Sequence, residues 1–310
     1  MTLRSVRFKQ VDVFTSRPFK GNPLAVVFDA DALDTAQMQA IARWTNLSET
    51  SFLLAPTDAR ADYRVRIFTT QGELPFAGHP TLGTAHAFLD SGRTPKTPGR
   101  LVQECAAGLI DLADRTDRTD RTQDSQEAKA EPAWAFAAPP ASVTPLPESQ
   151  YDALRAALQI APDSTAIDFS AQPCGVNNGA PWLVVRFASA DDVLALDVDY
   201  GALASVASGV GAQGLAAYGP HAADGPATFE VRCLMTGLGN GEDPVTGSAN
   251  AAIALLLAQQ QRRPGRRYTV RQGTAMGRDG RVSIDYDDAA GKMWVGGASV
   301  TVIDGTIALP

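Results

Sequence analysis

Glu49, His79, Asp243 and Ser248 are side chains of types that could move protons or bind a polar substrate, and three of them flank the starts of two similar helices. Residues 73–89 read Glu-Leu-Pro-Phe-Ala-Gly-His-Pro-Thr-Leu-Gly-Thr-Ala-His-Ala-Phe-Leu. Residues 242–258 read Glu-Asp-Pro-Val-Thr-Gly-Ser-Ala-Asn-Ala-Ala-Ile-Ala-Leu-Leu-Leu-Ala. At a constant offset of 169 residues Glu73 meets Glu242, Pro75 meets Pro244, Gly78 meets Gly247 and Ala85 meets Ala254. Each copy passes from a Pro- and Gly-bearing turn into an apolar helix. A helix N-terminus carries unpaired N–H groups and a partial positive charge, which suits a carboxylate or a developing oxyanion. Gly78 and Gly247 let a ligand approach that backbone with no Cβ in the way. Either glycine alone reads better as a turn residue; the duplication, with polar residues beside each, weakens that reading. The copies differ where chemistry could sit, at Leu74 against Asp243 and at His79 against Ser248.

In the first turn of its helix the His79 imidazole is favoured in its neutral form, able to donate to a substrate oxygen or to relay a proton. Asp243 and Ser248 read locally as a loop carboxylate and a first-turn hydroxyl. Glu49 lies between Ser48 and Thr50 at the start of a strand. Burial by Trp44 and Phe52 would make it a better general base than a solvated edge carboxylate. His79 and His86 are two turns apart with no Cys or carboxylate cluster beside them, so no metal site is expected. Thr236-Gly-Leu-Gly-Asn-Gly resembles a dinucleotide loop, but the third glycine of that pattern falls on Glu242, so no nucleotide cofactor is expected either.

The elements around these residues read as short strands and turns. Val11 and Val13 alternate with polar neighbours, Gly21-Asn22-Pro23 forms a turn, and Leu24 to Phe28 is a buried run. A helix follows, with Asp34 and Gln37 as a capping box, Leu33, Met38, Ile41, Ala42 and Trp44 facing inward, and Asn46 as its stop. Tyr63, Val65 and Ile67 form another strand. In the second half a helix carries Leu154, Leu158 and Ile160, and Trp182 to Phe187 is a buried strand. Residues 191–207 have helical spacing, and Gly214–Tyr218 and Phe229–Met235 are strands. Four more strands follow, the last closed by a hairpin turn at Asp304-Gly305. Strands that do not alternate one for one with helices indicate a mainly antiparallel α+β fold. Both repeated helices are apolar on nearly every side, so each must be surrounded by sheet.

Length and the offset together suggest two domains in 310 residues, at 1–120 and 121–298. Asp-Arg-Thr repeats open a charged run at about 114–131, which reads as a flexible insertion near the boundary. The balance of 27 basic and 34 acidic residues, net −7, argues against a nucleic-acid partner. No stretch approaches the ~20 apolar residues of a membrane span. Three widely spaced cysteines fit a reducing compartment, and a cytoplasmic location is expected.

Val11-Asp-Val-Phe-Thr with Gly21-Asn-Pro-Leu-Ala-Val-Val, Asn46-Leu-Ser-Glu-Thr, Phe76-Ala-Gly-His-Pro-Thr-Leu-Gly-Thr-Ala and Glu242-Asp-Pro-Val-Thr-Gly-Ser-Ala together resemble the PhzF family of phenazine-biosynthesis isomerases. The matches fall in order and cover most of the chain outside the Asp-Arg-Thr run. The resemblance implies a diaminopimelate-epimerase-like fold of two pseudo-symmetric domains, each a barrel-like, mainly antiparallel sheet round a central helix. It places the active site between the domains and has residues 299–310 complete the first. It implies isomerisation of a small carboxylate substrate, as with trans-2,3-dihydro-3-hydroxyanthranilate, without a cofactor. Glu49 would then carry the proton, with His79 and Asp243 as catalytic partners and Gly78, Gly247 and Ser248 binding the substrate. A homodimer is also implied, for which the sequence has no signature of its own. Epimerases of this fold use two cysteines, one in each repeated segment; these segments contain none, which disfavours two-thiol racemisation. Two alternatives stay open: a non-catalytic binder that keeps the pocket, and a cysteine-independent epimerase.

Overall fold

A computed structural model describes residues 4–115, 133–236 and 241–309. Most of the Asp-Arg-Thr run and Gly237 to Asn240 of the glycine-rich loop lie outside the described residues. The chain divides into two compact units, residues 1–137 with 296–310 and residues 138–295.

The first unit begins with β1 (Arg4–Val13), β2 (Asn22–Val27), α1 (Thr35–Thr45), β3 (Thr50–Leu54), β4 (Tyr63–Phe68) and β5 (Glu73–Leu74). It continues with α2 (Gly78–Asp90), β6 (Arg100–Cys105), β7 (Gly108–Asp114) and β8 (Trp134–Ala137). The second unit holds β9 (Ser142–Pro145), α3 (Tyr151–Ala157), β10 (Cys174–Asn177), β11 (Pro181–Arg186), α4 (Ala190–Leu194), α5 (Tyr200–Ser208), β12 (Gly214–Pro220) and β13 (Phe229–Met235). After these come β14 (Gly241–Asp243), α6 (Gly247–Gln259), β15 (Arg267–Gln272) and β16 (Gly280–Asp287); β17 (Lys292–Gly297) passes from the second unit into the first, to which β18 (Ser299–Leu309) belongs.

The two units have the same pairing pattern. In the first, β1 lies antiparallel between β18 and β2, β2 pairs parallel with β3, β4 pairs antiparallel with β3 and parallel with β6, and β6 pairs antiparallel with β7. In the second, β10 lies antiparallel between β9 and β11, and β11 pairs parallel with β12. Strand β13 then pairs antiparallel with β12 and parallel with β15, and β15 pairs antiparallel with β16. The sequence repeat is thus the visible part of a repeated topology, in which β18 plays for the first unit the part that β9 plays for the second.

Each unit packs its apolar helix inside its sheet. Helix α2 lies against β1, β2, β3, β8 and β18, and α6 lies against β10, β11, β12 and β16. Leu82 and Phe88 of α2 and Ile253 and Leu257 of α6 are buried, each such side chain stabilising by about 1.5–3 kcal/mol. The other sheet face carries amphipathic helices. Met38 and Ala42 of α1 pack with Val27, Phe52 and Phe68, and Leu154, Val193 and Leu203 of α3 to α5 pack with Leu183, Val185 and Leu215.

Two local expectations need correction, and a third is refined. The Asp304-Gly305 pair makes no hairpin turn, because β18 runs straight through it, opposite Lys9 and Phe8. The Asp304 carboxylate is held across the sheet by Lys9 Nζ at 2.9 Å and Arg7 Nη2 at 2.9 Å, so long-range pairing overrides the turn signal. Trp44 does not face inward; it is 81% exposed while Met38 and Ala42 fill the core face of α1. The spacing over 191–207 is divided between α4 and α5, because Asp199 leaves the helical conformation and caps α5 through Gly201 N and Ala202 N. By contrast, the Asp34–Gln37 capping box and the left-handed stop at Asn46, φ 54°, are present.

Candidate active site

At the first helix mouth, Ala77 is the N-cap residue of α2, extended at φ −150° and without a side chain able to cap. Gly78 and His79, the next two residues, are buried. Glu49 comes three residues after the left-handed Asn46 that ends α1 and immediately before β3. Its side chain is 17% exposed, against 6% for His79, and Glu49 Oε2 lies 3.3 Å from His79 Nδ1. Burial pushes the His79 pKa down to about 3, against an opposing hydrogen bond to the Pro23 backbone. The contact with Glu49 therefore joins a carboxyl group to a neutral imidazole rather than forming an ion pair.

The tautomer follows from counting partners. Proline has no N–H, so the imidazole must donate to the Pro23 carbonyl. His79 Nε2 is buried with no hydrogen-bond partner, so Nδ1 carries the proton and Nε2 keeps its lone pair. Pro23 is held in turn by β1: Asp12 Oδ2 accepts from Lys20 N at 2.9 Å and Gly21 N at 3.1 Å. A Cβ on Gly21 would lie 2.1 Å from the Val13 carbonyl oxygen, so only glycine lets the chain turn that closely. The Asp-Val-Phe-Thr and Gly-Asn-Pro motifs thus set the orientation of the histidine.

The second mouth is built from different side chains on the same frame. Thr246 is the N-cap residue of α6 but makes no side-chain cap; its hydroxyl donates to Asp243 Oδ2 at 2.5 Å. Ser248 Oγ accepts from Trp182 Nε1 at 3.1 Å, and the Ser248 carbonyl accepts from Asn178 Nδ2 at 2.9 Å. Accepting from the indole leaves the Ser248 hydroxyl proton to be donated elsewhere. Gly247 is buried as the first residue of α6. The structure therefore brings Glu49 together with His79 in one unit, and Asp243 together with the Gly247–Ser248 turn in the other.

Reading the sequence alone missed Pro23, Asn178, Trp182, Thr246 and Gln272. For Gln272 a signal exists: the 169-residue offset carried beyond the helix aligns it with Gln103, and both are fully buried. Glu73 and Glu242, which that offset also aligns, are structural, since they pair with Arg66 at 2.6 Å and Arg232 at 2.9 Å.

The second mouth is also pinned from behind. Gly273 adopts φ +92°, and a Cβ there would lie 2.7 Å from the Pro244 carbonyl oxygen and 2.8 Å from Arg278 Cβ. Gly273→Ala is expected to destabilise the fold by about 1–3 kcal/mol through backbone strain. By displacing Pro244 beside Asp243, it should also slow turnover. Urea unfolding and steady-state kinetics on the same preparation check both effects, and an unchanged unfolding midpoint would remove the clash from the account.

Among the described residues no group of three or more His, Cys, Asp or Glu side chains could hold a metal ion. The three cysteines are unpaired with one another. Burial raises the pKa of Cys105, takes Cys174 to about 11 and pushes Cys233 well above the usual thiol range, so none offers a ready thiolate. Among the described residues no helix is long and apolar enough to cross a membrane.

Two copies of a mixed sheet round a central helix, each with polar groups at the helix mouth, define a diaminopimelate-epimerase-like α+β protein. The crystal structure of a PhzF-family phenazine biosynthesis protein from Bacillus anthracis superposes with a TM-score of 0.82 over 98% of this chain and 99% of that one, at 23% identity. Residues 11–305 match the family described as phenazine biosynthesis-like protein. The trans-2,3-dihydro-3-hydroxyanthranilate isomerase of Pseudomonas aeruginosa is 34% identical over 277 residues, 89% of this chain and 88% of that protein. The Schizosaccharomyces pombe protein named antisense-enhancing sequence 1 is 36% identical over 306 residues, 96% of this chain and 97% of its own length. The chain belongs to the phenazine biosynthesis-like family, whose members include named isomerases.

Proposed function

We propose that this protein is a cofactor-independent isomerase that moves a proton within a small, carboxylate-bearing substrate. The observation that carries this reading is Glu49, a largely buried carboxyl group 3.3 Å from a neutral histidine at the first mouth. In the reaction, the Glu49 carboxylate takes a proton from a substrate carbon. The electron pair left behind shifts through the conjugated system, and Glu49, once its proton has exchanged with solvent, returns one to a different carbon. No net redox change occurs and no atom is gained or lost. His79, with its Nε2 lone pair, and Asp243 accept hydrogen bonds from the substrate or relay its proton. The substrate carboxylate is bound by backbone N–H groups at a helix start of the kind that Gly78 and Gly247 each open, with the Ser248 hydroxyl as a further donor at the latter.

The raised thiol pKa values support carboxylate and imidazole chemistry over a two-thiol epimerase. The direct test is incubation with trans-2,3-dihydro-3-hydroxyanthranilate in heavy water, followed by NMR. Isomerised product carrying deuterium at carbon is the expected result. Binding without exchange would leave a non-catalytic binder, and loss of optical activity without isomerisation would mark an epimerase.

A further inference from the structure

Gln272, at the end of β15, is fully buried and commits its entire amide to the second helix mouth. Its Nε2 donates to the Asp243 carbonyl at 3.0 Å and to Thr246 Oγ1 at 2.9 Å. Its Oε1 accepts from Thr246 N at 3.0 Å and Asn250 Nδ2 at 2.9 Å. A backbone N–H can only donate and a backbone carbonyl can only accept, so these two partners fix which end of the amide is oxygen. The amide therefore offers two hydrogens and two lone pairs, and all four are used.

This arrangement decides where the Thr246 proton goes. Thr246 Oγ1 accepts from Gln272, so its single hydrogen is free for Asp243 Oδ2, to which it donates. Asp243 is thereby gripped at both ends, its carbonyl by Gln272 and its carboxylate by Thr246.

The first unit shows that the amide alone is a common architectural element. Gln103, at the equivalent position, is also fully buried. Its Nε2 donates to Thr81 Oγ1 at 2.9 Å and its Oε1 accepts from Tyr63 Oη at 3.3 Å. There, however, Ala77 stands where Thr246 stands and Leu74 where Asp243 stands, so no hydroxyl-to-carboxylate link can form. The hydroxyl and the carboxylate occur together, in the second copy only.

We infer that Gln272 and Thr246 are positioning residues for Asp243, Gln272 orienting the Thr246 hydroxyl so that it holds the carboxylate in its working rotamer. The inference rests on the reading that Asp243 meets the substrate. Thr246→Val tests it, because valine keeps the shape and the backbone N–H bond to Gln272 but loses the hydroxyl. Thr246→Ser restores the hydroxyl. With trans-2,3-dihydro-3-hydroxyanthranilate as the probe, Thr246→Val should lower kcat by on the order of 100-fold with KM little changed, as expected for a misplaced reacting group. Thr246→Ser should recover most of that loss. A crystal structure of Thr246→Val should show the Asp243 carboxylate rotated away from its wild-type position. Equal kcat in wild type and Thr246→Val, or equal losses in the Val and Ser variants, would overturn the inference. Should the probe not be turned over, the crystal comparison decides: a displaced carboxylate supports the positioning role and an unmoved one ends it. The proposed isomerase activity stands or falls separately, on Glu49.

Discussion

Glu49→Gln is expected to fold normally and to lose about 100- to 10,000-fold in turnover, the usual contribution of a positioned acid–base group. The substitution preserves the size of the side chain and its place beside the His79 ring, whose Nδ1 lies 3.3 Å from Glu49 Oε2 in the wild-type chain. What it removes is the capacity to take up and release a proton. The loss should fall on kcat, with binding of trans-2,3-dihydro-3-hydroxyanthranilate measured by thermal shift little altered, because the substrate carboxylate is assigned to a helix mouth. The decisive reading is solvent exchange in heavy water. Wild-type protein should incorporate deuterium at carbon and Glu49→Gln should not; exchange at an undiminished rate in the variant would remove Glu49 from the mechanism. A variant with a lower melting temperature and weakened binding would instead point to a structural carboxylate.

His79 should make the protein lose stability as pH falls from about 6.5 towards 3. Its pKa in the folded chain is depressed to about 3 by burial, against about 6.5 for an unperturbed histidine. Between those values the unfolded chain binds a proton that the folded chain refuses, so stability rises with pH there. The contribution is fully present above the unfolded pKa and is lost as pH falls through the window, at up to about 1.4 kcal/mol per pH unit. Over the whole window this amounts to a few kcal/mol, a large share of the roughly 5–15 kcal/mol that holds a typical domain together. His86 acts in the same direction, since burial also lowers its pKa, whereas the raised pKa of Glu230 acts in the opposite one. The comparison with His79→Asn isolates the one residue. Urea unfolding at pH 7, 6, 5 and 4 should give a shallower pH dependence for the variant, and parallel curves would show that His79 is not the group responsible. The same depressed pKa means that a kinetic limb between pH 5 and 8 belongs to some group other than the His79 imidazole.

Much of the frame was legible because its signals are contiguous. The Asp34–Gln37 capping box and the left-handed Asn46 are properties of a few neighbouring residues, and both occur where local chemistry puts them. Apolar α2 and α6 had to be enclosed, and they are. Failures came where a distant partner outweighs a local preference. Asp304-Gly305 has the composition of a turn, yet the cations at Arg7 and Lys9 hold it in a strand nearly three hundred residues from β1. Trp44 has helical spacing with Ile41 but stands outside the core, because hydrophobic periodicity does not say how wide the buried stripe is. Gln272 is invisible as a lone polar residue and becomes conspicuous only when the repeat is extended to Gln103.

By itself the sequence determined that two similar helix mouths exist, that neither contains a cysteine, and that their chemistry differs at Leu74/Asp243 and His79/Ser248. Residue type and spacing suffice for that, since a helix start is built within a few residues. Only the tertiary structure decided that Glu49 lies beside His79, that Pro23 leaves the proton on Nδ1, and that Gln272 turns the Thr246 hydroxyl towards Asp243. Each of these joins segments some 26 to 56 residues apart. Their meeting depends on parallel and antiparallel strand registers, and a register is chosen by the packing of the whole sheet rather than by the residues that use it.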